Sequence, residues 1–412
     1  MPEPRRILTF TSLFPSSARP RHGIFVQTRL LQLLRRYPLD VRVVAPVPWF
    51  PFGAKIFGEY AKFASTPRRA TLSNGLQVSY PRYPMLPRFG VAYQPDAMAR
   101  AALADIEDLR VGGWTPDLID AHYLYPDGVA AALVSERIGV PFVMTARGTD
   151  VNVLARMPRP WRRIAWAARR AAAVVTVSTR LKRDLLELGV NADVVVLRNG
   201  VDPDLFRPHD SMMARAELGL PPGPLLAGVG NLLPEKGFDL AIEALTLLQG
   251  TTLVLVGDGP ERELLAALAK RHGVDHRVRF LPTMPQSRLP LLYSAVDALL
   301  LTSSREGWPN VVLESLSCGT PVVGVDVGAV AEMLTNETVG RVVSKRDPAL
   351  FAEAVRSLLG AQHERQTVRQ HAESFDWATI AYGQMELFRR VLGNVPPSGP
   401  SEVQQSSPLL MS

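Results

Sequence analysis

The sequence has few of the features that build disulfides, zinc sites or membrane spans. Cys318 is the only cysteine among 412 residues, so a disulfide within the chain is impossible and a reducing compartment fits. No apolar run approaches the roughly 18 residues that cross a bilayer. The first residues, Met1 to Arg6, lack the apolar stretch and cleavage site of a signal peptide. We therefore expect a cytoplasmic protein that is soluble or peripheral to a membrane.

Lysine is scarce although the chain is basic. The sequence has 46 lysines and arginines against 39 acidic residues, and only six of the cations are lysines. Arginine binds phosphate in a bidentate manner, and a basic balance suits nucleic acid, anionic lipid or phosphorylated substrates. The sequence has no recognition helix, zinc spacing or RNA-binding signature, so we expect no nucleic-acid partner.

Short apolar segments alternate with helical patterns along the chain, which predicts an α/β protein with parallel sheets covered on both faces. A chain of this length can form two cores. We predict two Rossmann-like domains facing across a cleft, at residues 1–205 and 206–375, followed by a closing helix at 376–393 and a disordered tail at 394–412. The predicted strands are Ile7–Thr11, Val41–Ala45, Gln77–Tyr80, Leu118–Ala121, Phe142–Thr145, Ala173–Val177, Val194–Leu197, Leu225–Val229, Leu253–Val256, Val278–Leu281, Val296–Leu301, Val322–Val325 and Arg341–Val343.

Two glutamates, Glu306 and Glu314, lie eight positions apart after the last apolar residue of a predicted strand. Gly307 permits a sharp turn and Pro309 suits a first helical position. Glu306 should therefore lie at the carboxyl end of a strand, where open α/β sheets bind ligands, and Glu314 one turn into a helix. The helix amino end can hold an anion, and each carboxylate can accept two hydroxyl donors. The alternative is two surface carboxylates favoured by the helix dipole.

Two glycine-containing loops follow predicted strands of the second half. In residues 228–237, Gly230 allows close approach of the backbone to a ligand. Lys236 stands at a helix start, where a cation is unfavourable unless an anion is bound. Gly257 and Gly259 form a second loop, which lacks the third glycine of a dinucleotide fingerprint and could also be a plain turn.

Together these motifs resemble those of glycosyltransferase family 4, retaining enzymes with the GT-B fold. Glu306 and Glu314 match the family's E-x7-E pair, the linker from Asn199 to Pro208 matches N-G-V-D-x-x-x-F-x-P, and Leu316 to Val323 match the stretch that follows the pair. The start of the chain resembles the bacterial subgroup that builds exopolysaccharides and teichuronic-type cell-surface polymers. The resemblance implies a nucleoside-diphosphate sugar as donor, a glycan or lipid-linked acceptor, and neither cofactor nor metal.

The resemblance also assigns residues to the donor. Lys236 matches a lysine that holds the donor diphosphate, whereas Asn231 stands where the family has arginine. Glu306 should bind the donor sugar and Glu314 the ribose. The donor-binding residues implied are Gly230, Asn231, Lys236, Gly257, Gly259, Glu306, Gly307, Asn310, Val311 and Glu314.

The acceptor side should be formed by the first domain. Gly23 lies in a long polar loop before a helix, and His122 resembles a histidine that the family keeps at a strand end, although such a histidine can equally be structural. The segment that ends at Asp150 matches the family's T-x-H-G-x-D, with Arg147 in place of histidine. Arginine cannot act as a base near neutral pH but can bind phosphate. We expect Gly23, His122, Arg147 and Asp150 on the acceptor side, and a catalytic set of Lys236, Glu306 and His122.

Other functions remain open. Because Asn231 and Arg147 replace two family residues, the chain could be an inactive scaffold that binds sugar nucleotides. A non-hydrolysing sugar-nucleotide epimerase shares the architecture but fits the E-x7-E run poorly. A nicotinamide-dependent oxidoreductase fits worst, because the glycine fingerprint is incomplete.

A basic, aromatic helix is predicted within residues 158–170, starting near Arg159 or Pro160. Trp161, Ile164, Ala165 and Ala168 form an apolar stripe at helical spacing, with arginines mostly away from it. Such a helix can lie on an anionic bilayer, and the aromatic and basic stretch from Trp49 to Arg69 could join it. We therefore expect contact with the inner face of the plasma membrane. The alternative is that the stripe packs on the first domain's sheet.

Overall fold

Two sheets of mainly parallel strands, each covered by helices, divide the chain into two Rossmann-like domains. The computed structural model describes residues 5–49, 59–85, 92–361 and 363–393. The strands are β1 (Arg5–Phe10), β2 (Leu39–Val44), β3 (Val47–Pro48), β4 (Arg69–Thr71), β5 (Gln77–Ser79), β6 (Arg82–Tyr83), β7 (Leu118–His122), β8 (Phe142–Ala146), β9 (Ala173–Thr176), β10 (Val194–Val196), β11 (Leu225–Val229), β12 (Thr252–Val256), β13 (Val278–Leu281), β14 (Ala298–Leu301), β15 (Val322–Val325) and β16 (Gly340–Val343).

The α-helices lie between these strands and after them. They are α1 (Ile24–Leu34), α2 (Glu59–Ser65), α3 (Gln94–Val111), α4 (Val129–Ile138), α5 (Thr149–Asn152), α6 (Pro158–Ala168), α7 (Thr179–Glu187), α8 (Ser211–Leu218), α9 (Phe238–Leu245), α10 (Arg262–Arg271), α11 (Leu289–Ala295), α12 (Asn310–Ser317), α13 (Val330–Met333), α14 (Pro348–Gly360), α15 (Arg365–Glu373) and α16 (Trp377–Val391).

Both sheets reverse their strand order near the centre. The first has the order β10-β9-β8-β7-β1-β2-β5-β4 and the second β13-β12-β11-β14-β15-β16. All neighbours are parallel except β4 and β5 at an edge of the first sheet. In such sheets the crevice outside the carboxyl ends of the strands at the reversal point binds ligands. β1 and β7 mark that point in the first domain, and β11 and β14 mark it in the second.

The central strands are apolar on both faces because helices cover both. Every residue of β7, β8 and β14 is buried, as expected for parallel strands within a doubly covered sheet. The polar exceptions lie near the strand ends: Asp120 and His122 on β7 and Thr145 on β8 are buried. A buried polar group must find hydrogen-bond partners. Asp120 accepts from Gln384 on α16, and the His122 ring meets Arg147 and Asp120.

The last helix of the chain returns to the first domain. α16 begins beside the Asp376 carboxylate, which accepts the backbone N–H groups of Ala378 and Thr379. Its apolar side, including Met385 and Phe388, packs into the core of the first domain. The closing helix therefore ties the end of the chain to the domain in which the chain begins.

Each predicted strand forms, with ends that differ by at most two residues. Three short strands were missed: β4, which is antiparallel, and β3 and β6, which pair only with each other. These strands have two or three residues each, too few for a recognisable apolar pattern. The predicted disordered tail at 394–412 lies outside the described residues.

The basic helix forms as α6, with its apolar stripe turned inward. Ile164 and Ala168 are buried, and Trp161 packs against the core. Arg163 pairs with Asp96 on α3. The stripe is therefore a packing surface of the first domain, as the alternative had it, and several arginines of the helix stay exposed.

The other predicted membrane-contacting stretch is only partly described. Phe50, Phe52, Lys55 and Phe57 lie outside the described residues, as does the side chain of Tyr60. In the ranges that the structure covers, no helix combines the length and the apolar character needed to cross a bilayer.

Candidate active site in the interdomain cleft

Lys236 and Glu306 meet at the carboxyl edge of the second sheet. Lys236 ends the loop after β11, Glu306 lies in the loop after β14, and the Lys236 Nζ is 2.7 Å from Glu306 Oε1. Ser303 donates its hydroxyl to the same oxygen at 2.7 Å. Among the described residues, Glu306 Oε2 has no hydrogen-bond partner. One carboxylate oxygen thus orients the lysine, while the other can accept from a ligand.

The loop that carries Glu306 touches the first domain through glycines. A Cβ atom on Gly307 would lie 2.1 Å from the carbonyl oxygen of Arg147, and one on Gly148 would lie 2.8 Å from Gly307 Cα. Asn152 on α5 donates its amide to the Glu306 carbonyl at 3.0 Å. No side chain fits between the two backbones, so Gly307 and Gly148 permit the domains to close on each other here.

The loops after β11 and β12 pack against each other at their glycines. Gly230 has φ +156° and Gly257 φ +153°, which side chains rarely adopt, and a Cβ on Gly257 would lie 1.8 Å from the Gly230 carbonyl oxygen. A Cβ on Gly259 would lie 2.3 Å from Leu232 O. We expected these glycines to admit a ligand. Gly257 and Gly259 instead face protein backbone, whereas a Cβ on Gly230 would meet nothing nearer than the Lys236 side chain, at 3.7 Å. Asn231 between them is exposed.

Glu314 occupies a more enclosed position on α12. Tyr293 donates its hydroxyl to Glu314 Oε2 at 2.9 Å, and burial raises the pKa of Glu314 to about 7. A cavity of about 190 Å³ lies beside it, between α1 and the amino end of α12, with Phe25, Thr28, Asn199, Gln286 and Asn310 among its lining residues. Asn310 and Val311 begin α12, so free backbone N–H groups lie between the two glutamates, as an anion site requires.

His122 lies at the end of β7 and is buried, with 2% of its surface exposed. The Arg147 guanidinium approaches His122 Nδ1 at 2.7 Å, and Asp120 Oδ2 lies 3.4 Å from His122 Nε2. Arginine only donates, so Nδ1 must accept and Nε2 must carry the proton. Burial lowers the pKa of His122, which favours this neutral ring. Both nitrogens are therefore engaged within the protein, which differs from the catalytic position that we expected.

Asp150 is fully buried and directs its carboxylate at the backbone. It accepts the N–H groups of Leu124 at 2.8 Å and Gly148 at 2.7 Å, and also those of Arg147 and Val151. Its oxygens hold the loop that presents Arg147, whereas we expected them to face the acceptor.

Gly23 is the residue immediately before α1, with φ +69°. A Cβ there would lie 2.1 Å from Leu13 O, so this position requires glycine for the turn into the helix. The turn sets the direction of α1, whose residues Phe25 and Thr28 line the cavity.

Two family models match the chain, one in each domain. Glycosyltransferase Family 4 matches residues 29–205, and Glycosyl transferases group 1 matches residues 214–375. Among curated proteins, the glycosyltransferase TuaC of Bacillus subtilis, named for teichuronic acid biosynthesis, is 32% identical over 333 residues, which are 80% of this chain and 82% of TuaC. This chain belongs to glycosyltransferase family 4. The D-inositol 3-phosphate glycosyltransferase of Acidothermus cellulolyticus is 35% identical over 71% of each chain.

Solved structures show the same fold for this glycosyltransferase. Sucrose-phosphate synthase of Thermosynechococcus elongatus superimposes with a TM-score of 0.79 at 19% identity, over 95% of this chain and all of the synthase. Anabaena HepE, in its complex with UDP-glucose, gives a TM-score of 0.69 at 19% identity, over 94% of this chain and all of HepE. The two Rossmann-like domains facing across a cleft are thus a GT-B fold, as predicted.

Sequence reasoning missed a buried polar network in this family 4 glycosyltransferase. Its hydrogen bonds run from the first domain through the linker to α12, in the order Arg29, Gln384, Asp120, His122, Arg147, Asn199 and Asn310. Asp120 and His122 could have been paired from the sequence, because they are two apart on one strand and share a face. Gln384 carried no such signal, since only the docking of α16 brings it near residues 264 and 355 positions away.

The two domains of the glycosyltransferase are also joined at the rim of the cleft. Glu332 on α13 of the second domain accepts the backbone N–H groups of Thr179 at 3.1 Å and Arg180 at 3.0 Å, which begin α7 of the first domain. Arg198 donates to Glu332 at 3.1 Å, and Arg180 pairs with Asp326 at 3.3 Å. A carboxylate from one domain therefore caps a helix of the other.

Two neighbouring aspartates in the linker resemble a metal-binding pair in the sequence. Asp202 instead accepts the backbone N–H groups of Asp204 at 3.1 Å and Leu205 at 3.2 Å, which is a turn. Within the ranges that the structure describes, no group of three or more His, Cys, Asp or Glu side chains is placed to hold a metal ion.

Proposed function

We propose that this glycosyltransferase moves a sugar, with retention of configuration, from a nucleoside-diphosphate sugar to a cell-surface glycan or lipid-linked acceptor at the inner face of the plasma membrane. The observation that carries the donor part is the meeting of Lys236 and Glu306 beside the amino end of α12. A cation and free amides suit a diphosphate. Glu306 and Glu314 on either side suit the hydroxyls of a sugar and a ribose.

Lys236 and the amino end of α12 would act on the leaving group. As the bond between the sugar C1 and the diphosphate oxygen breaks, negative charge grows on that oxygen, and preorganised positive groups stabilise it. The acceptor oxygen bonds to C1 on the same face, and its proton passes to the departing phosphate oxygen. This same-face step uses no covalent enzyme intermediate, which agrees with a Glu306 carboxylate already engaged with Lys236 and Ser303.

The relatives support the nucleotide and the acceptor. HepE has been solved with UDP-glucose. TuaC is named for teichuronic acid biosynthesis and the enzyme of Acidothermus cellulolyticus for D-inositol 3-phosphate. The exposed arginines of α6 support the membrane part, because they can attract anionic lipid without the buried apolar stripe.

The proposal is tested by donor screening followed by turnover. UDP- and GDP-sugars are screened for a rise in melting temperature, since ligands that bind the native state stabilise it. The stabilising donor is then incubated with lipid-linked glycan acceptors, and release of nucleoside diphosphate and the anomeric configuration of the product are measured. Binding without release from any donor and acceptor pair would favour the inactive scaffold, and an inverted product would refute retention.

Lys236→Ala provides the matched variant for this assay. It should lower turnover by about a hundredfold or more, as loss of a preorganised charge contact does, with a melting temperature close to that of the wild type because Lys236 is only partly buried. Lys270→Ala, an exposed lysine on α10, is the control and should keep full turnover. Near-normal turnover of Lys236→Ala would refute the diphosphate assignment.

A further inference from the structure

Arg147 is a largely enclosed cation without a carboxylate partner. Its guanidinium donates to the Asn199 side-chain oxygen at 3.1 Å and approaches His122 Nδ1 at 2.7 Å, both neutral acceptors. In the part of the chain that the structure describes, no carboxylate forms an ion pair with it, and its Nε is buried without a hydrogen-bond partner. Burial lowers the pKa of Arg147 to about 9. The charges of Asp120 and Asp150 favour the charged form without an ion pair, and burial outweighs them. A charge in such surroundings is costly unless an anion contacts it.

The position of Arg147 places this cation beside the proposed donor. Its own carbonyl oxygen packs against Gly307, the neighbour of Glu306. Its guanidinium lies over the ring of Phe25 at 5.3 Å, and Phe25 lines the cavity next to Glu314. Its partner Asn199 donates to Asn310, the first residue of α12. Arg147 thus approaches the amino end of α12 from the first domain, while Lys236 approaches it from the second.

The donor loop of the second domain carries fewer cations than expected. Asn231, at the place where the resemblance predicts arginine, is a neutral and exposed side chain. Lys236 is the only lysine or arginine between Arg215 and Arg262. A diphosphate with two to three negative charges would therefore meet one cation from this loop.

We propose that Arg147 is the second diphosphate-binding cation of this enzyme, supplied across the cleft in place of the one that Asn231 lacks. The inference rests on the proposed function, because it assumes a nucleoside-diphosphate donor. Since Arg147 adjoins the loop of Glu306, which would hold the sugar, its contact is with the phosphate next to the sugar. The donor then binds to both domains, and its charge favours the closed cleft.

The test compares a nucleoside diphosphate with the monophosphate of the same base. The base is the one, uracil or guanine, whose diphosphate stabilises the wild type. Its diphosphate and monophosphate are each titrated by calorimetry into wild type, Arg147→Gln, Asn231→Arg and the double variant. Arg147→Gln should weaken diphosphate binding by about tenfold or more, as loss of a charge-assisted hydrogen bond does, and monophosphate binding by less than about threefold. Asn231→Arg should restore most of the lost diphosphate affinity in the double variant.

Arg29→Gln is the matched control. Arg29 is another buried arginine of the same polar network, with burial lowering its pKa to about 10, but it bonds Gln384 and backbone carbonyls away from α12. Its substitution should lower stability and leave the ratio of diphosphate to monophosphate affinity unchanged. Arg147→His, with the residue that the resemblance predicts, provides a second variant if Arg147→Gln does not fold, and should show the same selective loss.

Three results would overturn the inference. Equal losses of diphosphate and monophosphate affinity would show that Arg147 only supports the fold. Failure of Asn231→Arg to restore binding in the double variant would show that the two positions do not serve the same phosphate. Absence of any diphosphate binding by the wild type would remove the proposed donor itself, whereas the first two results leave the donor standing.

Discussion

Glu306 and Glu314 share one motif but occupy different surroundings. Glu306 is paired with Lys236, while Glu314 accepts from Tyr293 at a cavity wall. We predict that Glu314→Gln weakens binding of both the donor and the free nucleoside diphosphate, because both contain the ribose. Glu306→Gln should impair transfer and leave the affinity for free nucleoside diphosphate almost unchanged, because that ligand has no sugar. Calorimetry and turnover measure both, and equal losses of diphosphate affinity would refute the division.

The surroundings of Glu314 also predict a pH dependence of stability. Burial raises its pKa from 4.5 to about 7 in the folded protein. Between these values the folded state binds more protons than the unfolded state, so this group lowers stability as pH rises through the window. Glu314→Gln removes the titration and should raise the free energy of unfolding relative to wild type above about pH 7, by at most roughly 3 kcal/mol, with little gain near pH 4.

Urea unfolding at several pH values measures this difference. Glu337→Gln is the control, because Glu337 has 89% of its side chain exposed and should show no such trend. A gain for Glu314→Gln that is the same at low and high pH would contradict the assigned cause, which is the cost of ionising a buried carboxyl.

At the scale of elements, α6 combines an apolar stripe that packs inward with arginines that face outward. Its apolar stripe is buried or half-buried, yet Arg159, Arg162 and Arg169 remain exposed. Each cation near an anionic bilayer contributes about 1 kcal/mol. We predict co-sedimentation with vesicles that contain phosphatidylglycerol, absent with neutral vesicles and reduced by salt. Changing Arg159 and Arg162 to Glu should weaken it by about tenfold or more.

The control for this experiment reverses the same amount of charge elsewhere. Lys270 and Arg271 are exposed at the end of α10 in the second domain, and their change to Glu alters the net charge equally. If both double variants lose binding to the same extent, net charge and not α6 governs the association. Equal binding of the wild type to neutral vesicles would refute the electrostatic contact and leave the transferase proposal intact.

Local patterns were enough for most strands and for the positions of the loops after β11 and β14, because those depend on a few consecutive residues. The run from Glu306 to Glu314 carries its own turn, helix start and carboxylates, and its residues lie where the sequence placed them. Gln384 and Asn199 could not be assigned, since each acquires its role from distant partners: those of Gln384 are 264 and 355 positions away, and those of Asn199 are 52 and 111 positions away. For the same reason the enclosure of His122 and Asp150 was missed. The sequence predicts where a strand ends, but it does not predict which residues cover that end.

At the scale of the whole molecule, the same contacts that complete the site also hold the domains together. Asn152 bonds the Glu306 carbonyl, Gly148 packs on Gly307, and Asn199 joins Arg147 to Asn310. A donor that binds between Lys236 and Arg147 would add to this set. Substrate binding and domain closure are then coupled. The smaller the fraction of molecules that are closed, the weaker the apparent affinity for the donor.

Glu332 offers the most direct test of closure, because its three donors all come from the first domain or the linker. Glu332→Ala should destabilise the closed state relative to the open state by about 1–2 kcal/mol. Exchange of the Thr179 and Arg180 amide hydrogens should then accelerate by about tenfold, while that of Leu181 stays unchanged, since its N–H bonds Ser178 Oγ within the first domain. Glu337→Ala, an exposed change in the same domain, should alter none of the three rates.

Equal protection of the Thr179 and Arg180 amides in wild type and Glu332→Ala would show that closure does not depend on this contact. Acceleration of Leu181 as well would mean that α7 itself had loosened, not the contact between the domains.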